Sequence, residues 1–281
     1  MTLKFKHVSE LWMDAAKEML DPPRGTDLHW WPRMSHRIGG LRPHELTLFC
    51  APTGAGKTQF LANISAQMLE AGIGHFVAPV ETGDVDYLIR VLSCLEGQRF
   101  NNGDPVPGDR VEALTQKYLR LIQESPLYIS TYDNRVEIDE MINTLKFMSQ
   151  AHGVQVALLD NLNFFLKVTS SQMEKAEMDS AIHEFTILAK QLPMHVILIV
   201  HPRKTEGGRV ESEFDIKGSS TAVQEASNVA LYNRPKPEDV ECGKRDITDR
   251  ELVFKKLRKR GEEINKPIWF KYEGGKMRER E

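Results

Sequence analysis

Ala51-Pro-Thr-Gly-Ala-Gly-Lys-Thr58 follows the apolar run Leu46-Thr-Leu-Phe-Cys50 and opens the amphipathic stretch Gln59-Phe-Leu-Ala-Asn-Ile-Ser-Ala-Gln-Met-Leu69. Strand, tight glycine-bearing turn and helix in that order make a phosphate-binding loop, because backbone N–H groups and a helix N-terminus then surround a phosphate chain. Within it Lys57 is positioned to reach the β- and γ-phosphates and the Thr58 hydroxyl to ligate Mg²⁺. Residues Pro52, Thr53, Gly54, Ala55, Gly56 and Gln59 complete the expected contact set. Alanine replaces the usual first glycine at Ala51. A chance turn before a helix is the bland alternative; with both flanks in place, the reading is a site for ATP or a close relative.

Working outward, the chain has 281 residues, enough for one large core with a small appendage. A net charge of −3 excludes a generally basic nucleic-acid coat but leaves room for a locally basic channel. The three cysteines, Cys50, Cys94 and Cys242, share no metal-ligand spacing and suit a reducing compartment. No apolar run approaches membrane-spanning length, and the mixed-charge N-terminus resembles no targeting segment, so a soluble cytoplasmic protein without membrane contact is expected.

Apolar runs at 46–51, 74–80, 127–131, 154–160 and 195–201 alternate with helical patterns near 57–71, 83–96, 109–124, 136–150 and 174–191. That alternation predicts an α/β fold with a mostly parallel central sheet and helices on both faces. After residue 226 the texture changes to strands joined by turns, at 228–232, 251–255 and 267–271, which predicts antiparallel C-terminal strands extending the sheet. Residues 9–20 read as a short amphipathic helix with Ser9 as N-cap, cut off by Asp21-Pro-Pro-Arg-Gly25. Its apolar stripe needs a surface, either the chain's own core or a neighbouring subunit. The organisation expected is an N-terminal arm over 1–35, carrying that helix, followed by a single domain over 36–281.

Three further residues stand at the ends of apolar strands, where an open α/β sheet exposes its carboxyl edge. Asp160 closes Val154-Gln-Val-Ala-Leu-Leu-Asp160 and suits the metal side of the site. Glu81 follows Val80 and either polarises an attacking water or merely starts the next helix. In the company of Lys57 and Asp160 the catalytic reading is favoured. His201 ends the apolar strand before it, in Val200-His-Pro-Arg-Lys204, as a sensor of the γ-phosphate or as an incidental strand-end histidine.

With this set in place, the chain resembles the RecA-like motor domain of ring-shaped replicative helicases of the DnaB and Twinkle type. The resemblance is carried by Leu159-Asp-Asn-Leu-Asn-Phe-Phe165, by Ile199-Val-His-Pro-Arg-Lys204 and by Gly218-Ser-Ser-Thr-Ala-Val-Gln-Glu-Ala-Ser-Asn228, and runs from about residue 36 to the C-terminus. It implies a RecA-like P-loop NTPase in which Glu81 activates the water and His201 senses the γ-phosphate. Arg258 and Arg260, in the basic run Lys255-Lys-Leu-Arg-Lys-Arg260, are implied to enter the next subunit's ATP site. A solvated or nucleic-acid-contacting strand is the alternative for that run. Arg234 and Tyr272 are implied to sandwich the nucleotide base.

The resemblance further implies a homo-oligomer, a hexameric ring, whose channel loops (164–180 and 202–217) grip single-stranded DNA. Arg203, Lys204, Arg209 and Lys217 are the phosphate contacts it suggests. Against them stand Glu206, Glu211, Glu213 and Asp215, which balance the second loop's charge. The implied activity is ATP-dependent DNA unwinding with Mg²⁺ as cofactor, a primase or loader protein as partner, and the 9–20 helix docked on an adjacent subunit. The rivals are a RecA-type recombinase-like or regulatory ATPase, and an ATP-binding helicase paralogue without unwinding activity.

Overall fold

A computed structural model of the chain describes residues 6–22, 24–100, 102–131, 136–166, 171–203, 208–217, 220–258 and 264–280. Nine strands form one sheet: β1 (Glu45–Cys50), β2 (His75–Pro79), β3 (Leu127–Ile129), β4 (Val156–Asp160), β5 (His195–Val200), β6 (Asn228–Asn233), β7 (Asp249–Leu257), β8 (Pro267–Glu273) and β9 (Lys276–Arg280). Their order is β3-β2-β4-β5-β1-β6-β7-β8-β9. The pairs from β3 to β6 are parallel, and those from β6 to β9 are antiparallel. The central strands β1, β2, β4, β5 and β6 are buried at every position, which is why they read as unbroken apolar runs.

The two faces of β1 feed two cores. Leu46, Leu48 and Cys50 join Leu159, Phe185 and Leu198 on one face, under α7 (Ile138–His152) and α8 (Ser171–Gln191). Phe49 points the other way, toward α3 (Lys57–Glu70) and α4 (Asp84–Glu96), and stacks on Phe60 at 4.8 Å between ring centroids. Phe60 in turn stacks on Trp31 at 4.7 Å. Trp31 is fully buried, and its indole N–H donates to the Met277 carbonyl at 2.9 Å.

That packing moves the start of the domain. Leu28, Trp31 and Met34 belong to the core, so the folded body begins before residue 36 and includes α2 (Pro32–Ile38), a helix too short to be legible in the sequence. The N-terminal helix α1 runs Val8–Leu20, with His7 rather than Ser9 at its cap: the His7 amide donates to Glu10 at 3.0 Å. None of its residues is buried, and Leu11, Trp12, Met13, Met19 and Leu20 are exposed, so it does not pack on the chain's own core. The helical stretch near 109–124 is two helices, α5 (Gly108–Lys117) and α6 (Leu119–Glu124), broken where Tyr118 turns its hydroxyl back to Glu96 at 2.6 Å. Strand β9, also unread in the sequence, closes the sheet as a charged edge. Among the described residues, no helix is long and apolar enough to cross a membrane.

Candidate active site

The register of the parallel strands brings the site together. Pro79 lies beside Asp160 across β2 and β4, and Cys50 lies beside Val200 across β1 and β5. The residues that follow these ends therefore emerge along one edge: the 51–56 loop after β1, Glu81 after β2, Asp160 at the end of β4, His201 after β5 and Arg234 after β6.

Gly54 (φ +77°) and Gly56 (φ +98°) take left-handed backbone in the turn, which a side chain would strain, whereas Ala51 is fully buried in ordinary backbone. The alanine at that place is thus accommodated. Helix α3 starts at Lys57 with no side-chain cap, leaving its first N–H groups to face an anion. Lys57 is 6% exposed, held in that first turn. Two arginines brace the loop through its carbonyls. Arg234 donates to Gly54 from Nη2 (2.6 Å) and Nε (3.1 Å), and Arg250 donates from Nε to Ala55 at 2.7 Å.

The Thr58 hydroxyl donates to Asp160 Oδ2 at 2.6 Å, while Oδ1 of the same buried carboxylate has no hydrogen-bond partner. Burial pushes the Asp160 carboxyl up from its ordinary range, opposed by the Thr58 hydrogen bond and by Lys57. An orphaned carboxylate oxygen beside a hydroxyl is an all-oxygen set that fits Mg²⁺, which keeps waters and phosphate oxygens as its other ligands. Among the described residues no group of three acidic, His or Cys side chains is placed to hold a metal ion.

The sequence reading missed Asn161, which ties the catalytic edge together. Its amide Nδ2 donates to Glu81 Oε2 at 2.8 Å and lies 3.0 Å from His201 Nε2, while its Oδ1 accepts from the Asn163 amide. Glu81 is thereby held by Asn161 and does not cap α4, whose N-cap is Gly83 without a side-chain bond. His201 is half-buried; burial, then Lys57, pushes its pKa below 6.5, against Glu81. Its Nε2 is accordingly the acceptor for the Asn161 amide.

A cavity of about 320 Å³ opens beside the loop, lined by Ala55, Gly56, Gln59, Arg90, Arg99, Tyr232, Arg234, Arg250, Tyr272 and Met277. It gathers the expected base contacts Arg234 and Tyr272 together with Arg90, Arg99 and Arg250, which carried no local signal in the sequence. Gln59 borders it but donates to the Gly275 carbonyl at 2.8 Å. Pro52 takes part through its carbonyl, which accepts from Ala55 at 3.2 Å; Thr53 is exposed on the turn.

A family model for the DnaB-like helicase C-terminal domain matches residues 31–277. The chain belongs to the DnaB-like helicase family. It is an ATPase of the replicative-helicase type on a RecA-like fold. Solved structures similar to this DnaB-like domain include the ATPase domain of G40P (TM-score 0.79, 14% identity, 99% of this chain and 100% of that one). Another is a DnaB-like replicative helicase studied for its interactions with primase (0.75, 13%, 99% and 68%). A third is the KaiC-like protein PH0186 of Pyrococcus horikoshii (0.63, 16%, 92% and 100%).

Other sequence candidates of this DnaB-like domain lie apart from the phosphate loop. Arg258 is exposed after β7 and donates to the Glu225 carbonyl at 3.1 Å, at the end of α9 (Ser220–Glu225). Arg260 and Lys204 lie outside the described residues. Arg203 and Lys217 stand on the two chain segments at the base of the second loop, opposite Asp215 and His201: Pro202 bridges Ile216, the Arg203 amide donates to the Asp215 carbonyl at 2.6 Å and the Lys217 amide to the His201 carbonyl at 3.3 Å. Arg209 departs from the expectation. Its Nη2 donates to Glu251 at 2.5 Å and its Nη1 to the Arg234 carbonyl, so its charge is compensated inside the protein instead of being offered to DNA phosphate.

Proposed function

We propose that the chain forms a homo-oligomeric ring, a hexamer, that hydrolyses ATP between subunits and drives single-stranded DNA through its channel, unwinding duplex ahead. One observation carries the reading: the Asn161 amide lies 2.8 Å from Glu81 and 3.0 Å from His201, and the His201 carbonyl receives the Lys217 amide of the second loop. A water-side carboxylate, a phosphate-side imidazole and a DNA-side loop are thus joined by hydrogen bonds.

In this reading Lys57 and the loop amides bind the β- and γ-phosphates of ATP, with Arg234 and Tyr272 about the base. Thr58 and Asp160 would hold Mg²⁺, which when bound would supply positive charge against the phosphate oxygens. Glu81 takes a proton from the attacking water as its oxygen bonds to the γ-phosphorus and ADP departs. His201 donates to the γ-phosphate from the nitrogen opposite Asn161 and reports its loss to the loop. Arg258 and Arg260 supply the neighbour's site with transition-state charge, Arg258 leaving the carbonyls at the end of α9 to do so. Arg203, Lys204 and Lys217 meet DNA phosphates, α1 lays its apolar stripe on the adjacent subunit, and a primase or loader serves the ring in the cytoplasm.

Steady-state ATP hydrolysis with and without single-stranded DNA tests the reading. Strong stimulation is expected, with Arg260→Ala losing hydrolysis while keeping nucleotide binding. Robust turnover indifferent to DNA would instead favour a regulatory ATPase, and full hydrolysis by Arg260→Ala would remove the trans-site assignment.

A further inference from the structure

The loop after His201 is anchored to the nucleotide site twice. Its two ends are tied through His201, as described above. The second anchorage lies within the loop and reaches the opposite side of the site. The Asn233 amide group clamps Val210 in both directions, accepting from its N–H at 2.9 Å and donating to its carbonyl at 2.8 Å. Both residues are almost fully buried. Next to them Arg209 spends its guanidinium on Glu251 and on the Arg234 carbonyl. Glu251 sits opposite Asn233 in the β6–β7 ladder and directly follows Arg250. Arg234 and Arg250 are the two groups that hold the carbonyls of Gly54 and Ala55. A chain of hydrogen bonds therefore runs from the Gly54 carbonyl of the phosphate loop, through Arg234, to Arg209.

From this arrangement we infer that Arg209 is a positioning residue: it holds the loop after His201 in register with the base side of the nucleotide. The loop then reads occupancy of the site by a route separate from His201. The physical reason is that Arg234 is shared. Its side chain lines the cavity beside the phosphate loop, and its carbonyl is fixed to Arg209, so a shift of Arg234 on nucleotide binding moves Arg209 and the clamped Val210 with it. A guanidinium with two fixed acceptors transmits such a shift because its fork is planar and rigid. The half-buried setting of the pair, at 15% and 17% side-chain exposure for Arg209 and Glu251, limits screening by solvent.

The inference rests on the reading that this loop meets single-stranded DNA, and the test separates the two. The quantity to measure on the full chain is the ratio of dissociation constants for a fluorescent oligo-dT, without and with a non-hydrolysable ATP analogue. Coupling between sites corresponds to a ratio of about 5 to 150. For Arg209→Ala the ratio should collapse toward one, a loss of fivefold or more, with Arg209→Lys recovering part of it. By reciprocity, the effect of oligo-dT on analogue affinity should fall by the same factor. A purely structural role would weaken both affinities and leave the ratio intact, and that result would overturn the inference alone. A ratio near one in the unaltered protein, with oligo-dT still bound, would also overturn the inference alone, whereas no binding of oligo-dT in either state would overturn the DNA-loop reading and this inference with it. Should Arg209→Ala fail to fold, Glu251→Gln keeps the shape and removes the charge; it should lower the ratio in the same direction, and an unchanged ratio there would equally overturn the inference.

Discussion

Replacing Asn161 by alanine deletes one amide that serves two partners in front of the phosphate loop. Its Nδ2 donates to Glu81 Oε2 at 2.8 Å, a hydrogen bond to a carboxylate, and such bonds contribute roughly 1.5–3 kcal/mol. If Glu81 must be aimed at the attacking water, that loss falls on the transition state, and kcat should drop about 10- to 150-fold. The affinity for ATP should change little, because none of the Asn161 hydrogen bonds involves the 51–58 loop. Stability should fall by about 1 kcal/mol, since the Asn163 amide loses its acceptor at 3.0 Å. Asn161→Asp separates the effects: it keeps that acceptor but sets a second carboxylate beside Glu81, where like charges about 4 Å apart cost on the order of 4 kcal/mol at an effective dielectric constant of 20. Its kcat should therefore fall further than that of the alanine variant, although it is nearly isosteric. The assay is single-turnover hydrolysis alongside binding of a fluorescent ATP analogue. Folded variants that both keep kcat within about threefold of the parent would refute the claim that Asn161 aims Glu81.

Three more outcomes follow from the same geometry. The imidazole of His201 is pushed below 6.5 by burial and by Lys57, so the neutral form that accepts from Asn161 is complete above that pH and is lost as pH falls through the lowered pKa. Both hydrolysis and the stability linked to this residue should therefore decline on the acid side only, and a pH–rate profile of His201→Gln should lose that limb. Asp160→Asn leaves Thr58 its acceptor but removes the charge that suits a cation; a Mg²⁺ titration of turnover should move to at least tenfold higher metal concentration, whereas an unmoved midpoint would dismiss Asp160 as a metal-side group. Gly54→Ala puts a Cβ 3.3 Å from Arg234 Nη2 at a φ of +77°, so thermal unfolding should show a loss of about 1–2 kcal/mol and analogue binding should weaken; unchanged stability would mean that the turn relaxes freely.

How far the chain could be read in advance depended on whether a residue's partner was near in sequence. The five central strands and the helices between them were legible because strands buried on both faces must be continuously apolar. Helix α2 and strand β9 were not. The first is seven residues long and is held by Trp31 bonding to Met277, and the second carries a single apolar residue, Met277, among four charged ones. At the site, Lys57 and Thr58 could be picked out from the phosphate-loop motif, and Asp160, Glu81 and His201 as strand-end residues, since parallel topology alone delivers strand ends to one place. Asn161 could not, although it adjoins Asp160, because its value lies in spanning β2, β4 and β5 at once. Arg209 shows the opposite failure. A basic residue in a loop reads as a phosphate contact, and only the fold reveals a carboxylate 42 positions later in the chain waiting for it.

Strand β7 has a consequence for timing. Arg250 near its start grips the Ala55 carbonyl of the subunit's own phosphate loop, and Arg258, just past its end, lies roughly 26 Å away at the usual rise per residue. Between them the strand pairs with β6 as far as Leu257, across a register shift at Lys255, and with β8 from Asp249 to Val253. In a ring built as proposed, a subunit's hold on its own nucleotide and its reach toward the next one would therefore sit at two ends of one strand. In such a ring the timing of neighbouring sites would run along this one strand, with the register shift at Lys255 as its joint.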